Sequence, residues 1–147
     1  MNFQKIKEQD KKNILGTYNR FDVCIESGKG ATCRDVNGKK YIDFTSGIGV
    51  NSLGFAHPEW VKAVSEQAGR LAHISNLYYT IPDNELAKAL CEQTGYAAVF
   101  FGNSGAEANE GAIKTARKYS FDKYGKGRDQ ISTRNNSFHG RTVTTLA

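Results

Sequence analysis

Cysteine, proline, tryptophan and methionine are all scarce in this chain of 147 residues: three, two, one and one respectively. The three cysteines, Cys24, Cys33 and Cys91, are an odd number without metal-ligand spacing. That argues against a disulfide framework or a zinc site and points to idle thiols in a reducing, cytoplasmic compartment. Two prolines cannot make a Pro-rich linker, and no repeat or low-complexity stretch interrupts the chain. No apolar run approaches the ~20 residues that cross a bilayer. The N-terminus, Met1 to Glu8, lacks an apolar region and carries acid, unlike a signal or transit peptide. A membrane role is therefore not expected.

An acidic excess is also missing, since the formal net charge is +5. Nucleic-acid binders gather their bases on one face among aromatics. Here they are scattered: Lys11-Lys12, Lys39-Lys40, Lys114, Arg117-Lys118, Lys123, Lys126 and Arg128. A solvated helix face accounts for Lys114, Arg117 and Lys118, and no nucleic-acid partner is expected. With 39% hydrophobic and 24% charged residues, the composition is that of a globular protein.

The pattern predicts a helix over residues 3–15, with Phe3, Ile6, Ile14 and Leu15 as its apolar positions. A small antiparallel meander follows: a strand at 23–25, a turn at Gly28-Lys29-Gly30, and strands at 31–36 and 40–44 about the hairpin signal Asn37-Gly38. Residues 45–55, with three glycines, read as an irregular loop. Pro58 and Pro82 suit the first turns of two helices; Val61, Val64, Ala68 and Leu71 form the stripe of one, and Gly95 stops the other. The continuous apolar run Ala97 to Phe101 reads as a strand buried on both faces of a parallel sheet. A helix from Ala106 to about Tyr124 and a strand at 130–134 would complete a βαβ unit. The expected fold class is α/β, with residues 1–55 as helix plus meander, part of a small domain. Residues 56–147 would then be connecting helices and the first βαβ unit of a larger, mostly parallel domain. Two parallel strands leave sheet surface without a partner, so the chain is expected to be an incomplete, truncated unit.

Chemistry concentrates in two stretches. In the run Phe101 to Glu110 a strand ends, a Gly-containing turn follows and a helix begins. Free N–H groups and the positive helix end there favour a phosphate, with Gly105 permitting close approach and Ser104 offering a hydroxyl. The alternative is that Ser104 only caps the helix in a capping box. The run is neither a P-loop, for no Gly-Lys-Ser/Thr closes it, nor a Gly-x-Gly-x-x-Gly turn. The second stretch, Asn136 to Thr142, follows the next expected strand. Phe138 could stack on a flat heteroaromatic ring or lie in a core; Arg141 could grip a carboxylate in two-point fashion or be solvated.

Together the runs Asn103 to Glu110 and Asn136 to Thr142, with Asp43 to Gly54, His57-Pro58 and Ser75 to Thr80, resemble the class-III aminotransferases of fold type I. Within that family the resemblance is nearest to the acetylornithine type, and it covers nearly the whole chain from about residue 18. It implies pyridoxal 5'-phosphate as cofactor, its phosphate held by Ser104, Gly105 and Ala106, its ring stacked on by Phe138, with His139 also binding the cofactor, and the substrate carboxylate bound by Arg141. It implies no metal. It also implies a homodimer, with the Gly47–Asn51 loop and the Asn76–Thr80 stretch lining the site across the interface. The expected reaction moves the amino group of N-acetylornithine or ornithine to 2-oxoglutarate in arginine biosynthesis. Succinylornithine, ornithine and 4-aminobutyrate enzymes share these motifs and are alternatives. No catalytic residue is assigned: the family's Schiff-base lysine and its Asp for the pyridine nitrogen would lie beyond Ala147. A non-catalytic fragment is thus the competing reading. Two departures from the family pattern stand out. Ser132 and Arg134 fall on an expected central strand, where each would cost about 1–3 kcal/mol if buried unpaired, and Arg34 stands where an aromatic is usual.

Overall fold

The first helix, α1, spans Phe3–Asn13 in a computed structural model that describes residues 2–146. Asn2 caps it, its side chain accepting from the Lys5 N–H at 2.9 Å, and Lys11 and Lys12 meet the negative end of the helix dipole. It stops two residues earlier than the pattern suggested because Ile14 is already extended. Two ion pairs, Lys7 with Asp22 and Arg20 with Asp10, tie the following segment back to α1.

The meander forms as expected, with its first strand displaced. Strands β1 (Ile25–Lys29), β2 (Thr32–Asp35) and β3 (Lys40–Ile42) pair antiparallel in the order β1-β2-β3. The stretch read as a turn, Gly28-Lys29, is strand, and the chain reverses at Gly30, where φ is 56°. The reason is tertiary. The Phe55 ring lies where a side chain on Gly28 would be, 2.5 Å from an added Cβ, and Gly30 and Phe55 exchange backbone hydrogen bonds of 2.9 and 2.8 Å. Asp35 organises the Asn37-Gly38 hairpin: its carboxylate accepts from the N–H groups of Asn37 and Lys39 and from the Tyr41 hydroxyl at 2.8–2.9 Å. Burial works to raise the Asp35 pKa, but these three hydrogen bonds and the Lys39 charge outweigh it and hold the carboxyl below its ordinary value.

Past the meander, Asp43 makes an Asx turn, accepting from the backbone and hydroxyl of Thr45. Ser46, Gly47, Ile48 and Gly49 then all adopt positive φ, between 48° and 83°. Helix α2 runs Pro58–Arg70 and α3 runs Ile81–Thr94, each with proline in its first turn; Gly95 closes α3 in the left-handed region. Helix α4, Gly105–Tyr124, is the longest at 20 residues.

The expected strands at 97–101 and 130–134 are not formed among the described residues: neither segment pairs in a ladder. A strand exists only through a hydrogen-bonded neighbour, and the apolar run supplies none. Phe100 and Phe101, expected in a core, are 69% and 45% exposed. Ser132 and Arg134 are exposed as well, so the cost expected of burying them does not arise.

The described chain divides into two units, one ending at Ser75 and the other beginning at Asn76. Among the described residues only Cys33, Asp35 and Thr145 are buried. Large apolar side chains of the helices, Trp60, Val64, Leu86 and Tyr119 among them, are exposed.

Candidate functional site

Residues of the second unit bring the two chemical stretches together on the first turns of α4. Ser104 is the N-cap, extended at φ −154°, and its hydroxyl oxygen accepts from the Glu107 N–H at 3.2 Å. The Glu107 carboxylate turns back to accept from the Asn103 N–H. This is capping-box geometry shifted by one residue, so the capping role weighed for Ser104 is real. It does not exhaust the residue, because an accepting hydroxyl keeps its own proton to donate. The N–H groups of Gly105 and Ala106 have no intrahelical acceptor by helix geometry. Nothing lies within 4 Å of where a Gly105 Cβ would stand. Free donors, a positive helix end and open space above the glycine fit a phosphate group.

The loop that carries Phe138, His139 and Arg141 lies against the same helix. Asn136 turns it with φ at 60°, which asparagine tolerates, and Gly140 passes with φ at 126°. Gly140 approaches α4 so closely that an added Cβ would stand 2.6 Å from the Cβ of Ala106 and 2.7 Å from Thr145 Oγ1. Phe138 is 74% exposed among the described residues. The Arg141 guanidinium lies 5.2 Å from the centroid of the Phe138 ring, within cation–π range. His139 is half-buried, and its Nε2 is buried without a hydrogen-bond partner among the described residues. It lines a cavity of about 400 Å³ with Asn109, Ile113, Arg134 and Thr144. Phe138 and Arg141 are not among that cavity's walls.

The structure thus places Ser104, Gly105 and Ala106 at one helix terminus and brings Gly140 of the Phe138–Arg141 loop onto it. Sequence reasoning passed over the residues that hold the two together. Asn109 Nδ2 donates to the His139 carbonyl at 2.7 Å, and the Thr142 hydroxyl donates to Glu110 at 2.6 Å. Both helix residues stood inside the motif already singled out, but contacts across some thirty positions leave no periodic trace. The Glu110 carboxyl is held below its ordinary pKa by the Thr142 hydroxyl, against the opposing effect of burial, with help from Thr144 and Lys114.

The model of the family described as class-III aminotransferase matches residues 16–147. The chain belongs to that family. The acetylornithine aminotransferase of Haemophilus ducreyi is 56% identical over the whole of this chain, which corresponds to 37% of that enzyme. Among solved structures, the ornithine aminotransferase of Toxoplasma gondii, described with pyridoxal phosphate partially occupying its active site, superposes with a TM-score of 0.92. It is 31% identical, and the match covers 99% of this chain and 34% of that one. The acetylornithine aminotransferase of Elizabethkingia anophelis gives 0.82 at 35% identity, over 86% of this chain and 33% of its own. The chain spans little more than a third of the relatives it matches. The α/β, fold-type I expectation holds at that level. Class-III aminotransferases depend on pyridoxal phosphate, and the α4 terminus fits such a cofactor's phosphate. No group of three or more His, Cys, Asp or Glu among the described residues could hold a metal ion. No described helix is long and apolar enough to cross a membrane.

Proposed function

We propose that this chain furnishes the cofactor-phosphate cradle and the carboxylate grip of an aminotransferase that moves the amino group of N-acetylornithine, or ornithine, to 2-oxoglutarate. The observation that carries the proposal is the convergence on α4: free donors at Ser104, Gly105 and Ala106, with the Phe138–Arg141 loop packed on Ala106 through Gly140. Arginine biosynthesis is the matching pathway, since the relative at 56% identity is an acetylornithine aminotransferase.

Pyridoxal phosphate, when bound, supplies the electron sink for amino-group chemistry; the protein binds, orients and shields it. Ser104 Oγ and the N–H groups of Gly105 and Ala106 hold the phosphate. Phe138 would offer the face of its ring that Arg141 does not cover, and His139, whose side chain lines the separate cavity with Asn109 and Ile113, is carried in the same loop. Arg141 presents a planar fork to the substrate carboxylate. The Gly47–Asn51 loop, with Ile48 and Val50 at 96% and 85% exposure, supports a role in a homodimer interface. The Asn76–Thr80 stretch is assigned there with it. No lysine of this chain stands in a cofactor-binding context, so these 147 residues hold the cofactor without performing the transfer by themselves.

Two substitutions separate the roles in the complete protein carrying this chain. Arg141→Lys replaces a two-point grip by a point charge and raises the donor KM about tenfold or more, since such a contact contributes about 1.5–3 kcal/mol. Cofactor absorbance stays near normal. Gly105→Val puts bulk into the phosphate approach and lowers cofactor occupancy first. Loss of cofactor with an unchanged donor KM in Arg141→Lys would overturn the assignment of Arg141.

A further inference from the structure

Asn109 and Glu110 are consecutive on α4, yet both reach the same loop, and their contacts fall on either side of Arg141. On one side Asn109 Nδ2 donates to the His139 carbonyl at 2.7 Å; on the other Thr142 Oγ1 donates to Glu110 Oε1 at 2.6 Å. Between these points Gly140 presses on Ala106. The far anchor is itself braced: the Thr142 N–H donates to Thr145 Oγ1 at 3.0 Å, and Thr145 is only 5% exposed. The Glu110 side chain is 18% exposed, and Lys114 stands 4.0 Å away, one helical turn on. A carboxylate so placed is a strong, fixed acceptor, and an amide on a backbone carbonyl fixes the main chain rather than a mobile side chain.

We infer that Asn109 and Glu110 are positioning residues, a two-point clamp that sets where the Phe138–Arg141 loop stands relative to the phosphate-binding terminus of α4. The inference rests on the function proposed above and deepens it. The contacts the two residues make are with the loop and, for Glu110, with Lys114 on the same helix. Because the phosphate cradle and the clamp are successive turns of one rigid helix, the spacing between bound phosphate and the carboxylate-binding guanidinium is written into α4. Specificity for where a donor carries its carboxylate follows from that spacing. Sub-ångström misplacement of an orienting group is felt strongly in such sites.

The test uses the complete protein carrying this chain, with Glu110→Ala, Glu110→Gln and Asn109→Ala. Hydrogen exchange of the cofactor-free protein reads the clamp directly. Glu110→Ala is expected to speed exchange at residues 139–142 about tenfold or more, as loss of a hydrogen bond to a charged, partly buried group does, while residues 112–124 of α4 stay protected. In the loaded enzyme the same variant raises the donor KM about tenfold or more and weakens pyridoxal phosphate by a smaller factor, since the phosphate is held at the α4 terminus rather than by the loop. Glu110→Gln, whose amide oxygen still accepts from Thr142, recovers most of both effects, and Asn109→Ala reproduces the loop exchange of Glu110→Ala. The inference is overturned if loop exchange and KM stay at the unaltered values. It is overturned equally if α4 loses protection along its length, because the role is then one of helix stability, or if Gln behaves as Ala. Failure of the unaltered protein to bind pyridoxal phosphate would overturn the functional reading instead, and the exchange experiment would still decide whether the clamp exists.

Discussion

Gly140→Ala inserts a single methyl group at the contact between loop and helix. The new Cβ would lie 2.6 Å from the Ala106 Cβ, 2.7 Å from Thr145 Oγ1 and 3.0 Å from the Ala106 Cα. Carbon pairs rest at about 3.5–4.0 Å, so the loop has to lift by roughly 1 Å. The Ala106 Cα is backbone of α4 and cannot turn aside. Overpacking of this kind costs about 1–3 kcal/mol, and a φ of 126° in a residue with a side chain costs about 1–3 kcal/mol more. The sum, about 2–6 kcal/mol, exceeds what a loop held by a few hydrogen bonds can absorb, so it comes away from α4. Two measurements follow. Exchange at residues 138–142 rises towards that of an open loop, and fluorescence titration shows the dissociation constant for pyridoxal phosphate raised about two- to tenfold, the worth of one lost ring contact. Helicity of α4, read by circular dichroism, is retained because the N-cap at Ser104 is untouched. Unchanged loop exchange together with unchanged cofactor affinity would refute the packing argument.

Two further outcomes are expected. The folded Asp35 carboxyl lies below its ordinary value, so it stabilises the meander above the unfolded pKa of about 3.9 and loses that contribution as pH falls through the folded value. Melting of the isolated chain should therefore become steadily easier on acidification below about pH 4, and Asp35→Asn should flatten that dependence; an equal acid response in both proteins would count against it. Secondly, mixing these 147 residues with pyridoxal phosphate and then borohydride should leave no stoichiometric covalent adduct at any one lysine, as read by peptide mass spectrometry. A single modified lysine would show that this chain carries its own attachment point.

What the sequence made legible was local. Asn37-Gly38, Pro58, Pro82 and Gly95 mark their turns and helix ends through backbone preferences that act within four residues, and each lies where it was expected. The N-terminus of α4, proposed above as the phosphate site, is of the same kind, since a cap and two unsatisfied N–H groups need nothing beyond the helix itself. Pairing is not local. Ala97 to Phe101 shows the hydrophobicity of a buried strand, but a ladder depends on which segment lies beside it. The displacement of β1 has the same origin, because Phe55 sits on Gly28 from twenty-seven residues away. The Asn109 and Glu110 contacts, thirty and thirty-two positions long, were hidden for that reason too.

Gly105 and Gly140 show how far residue type alone carries the argument. Both stand in the motifs that mark the family, and either could have been assigned to close approach by a ligand. At Gly105 a Cβ would meet nothing within 4 Å, and φ is not positive. The fold would accept a side chain there, so the reason for glycine has to come from what approaches from outside. At Gly140 the fold itself fills the space with Ala106 and Thr145 and demands a φ that other residues avoid. On the function proposed above, one glycine keeps room for a ligand, while the other lets two parts of the protein touch. Substitution at the first should therefore alter binding while leaving loop exchange alone, and substitution at the second should alter exchange first and binding only as its consequence.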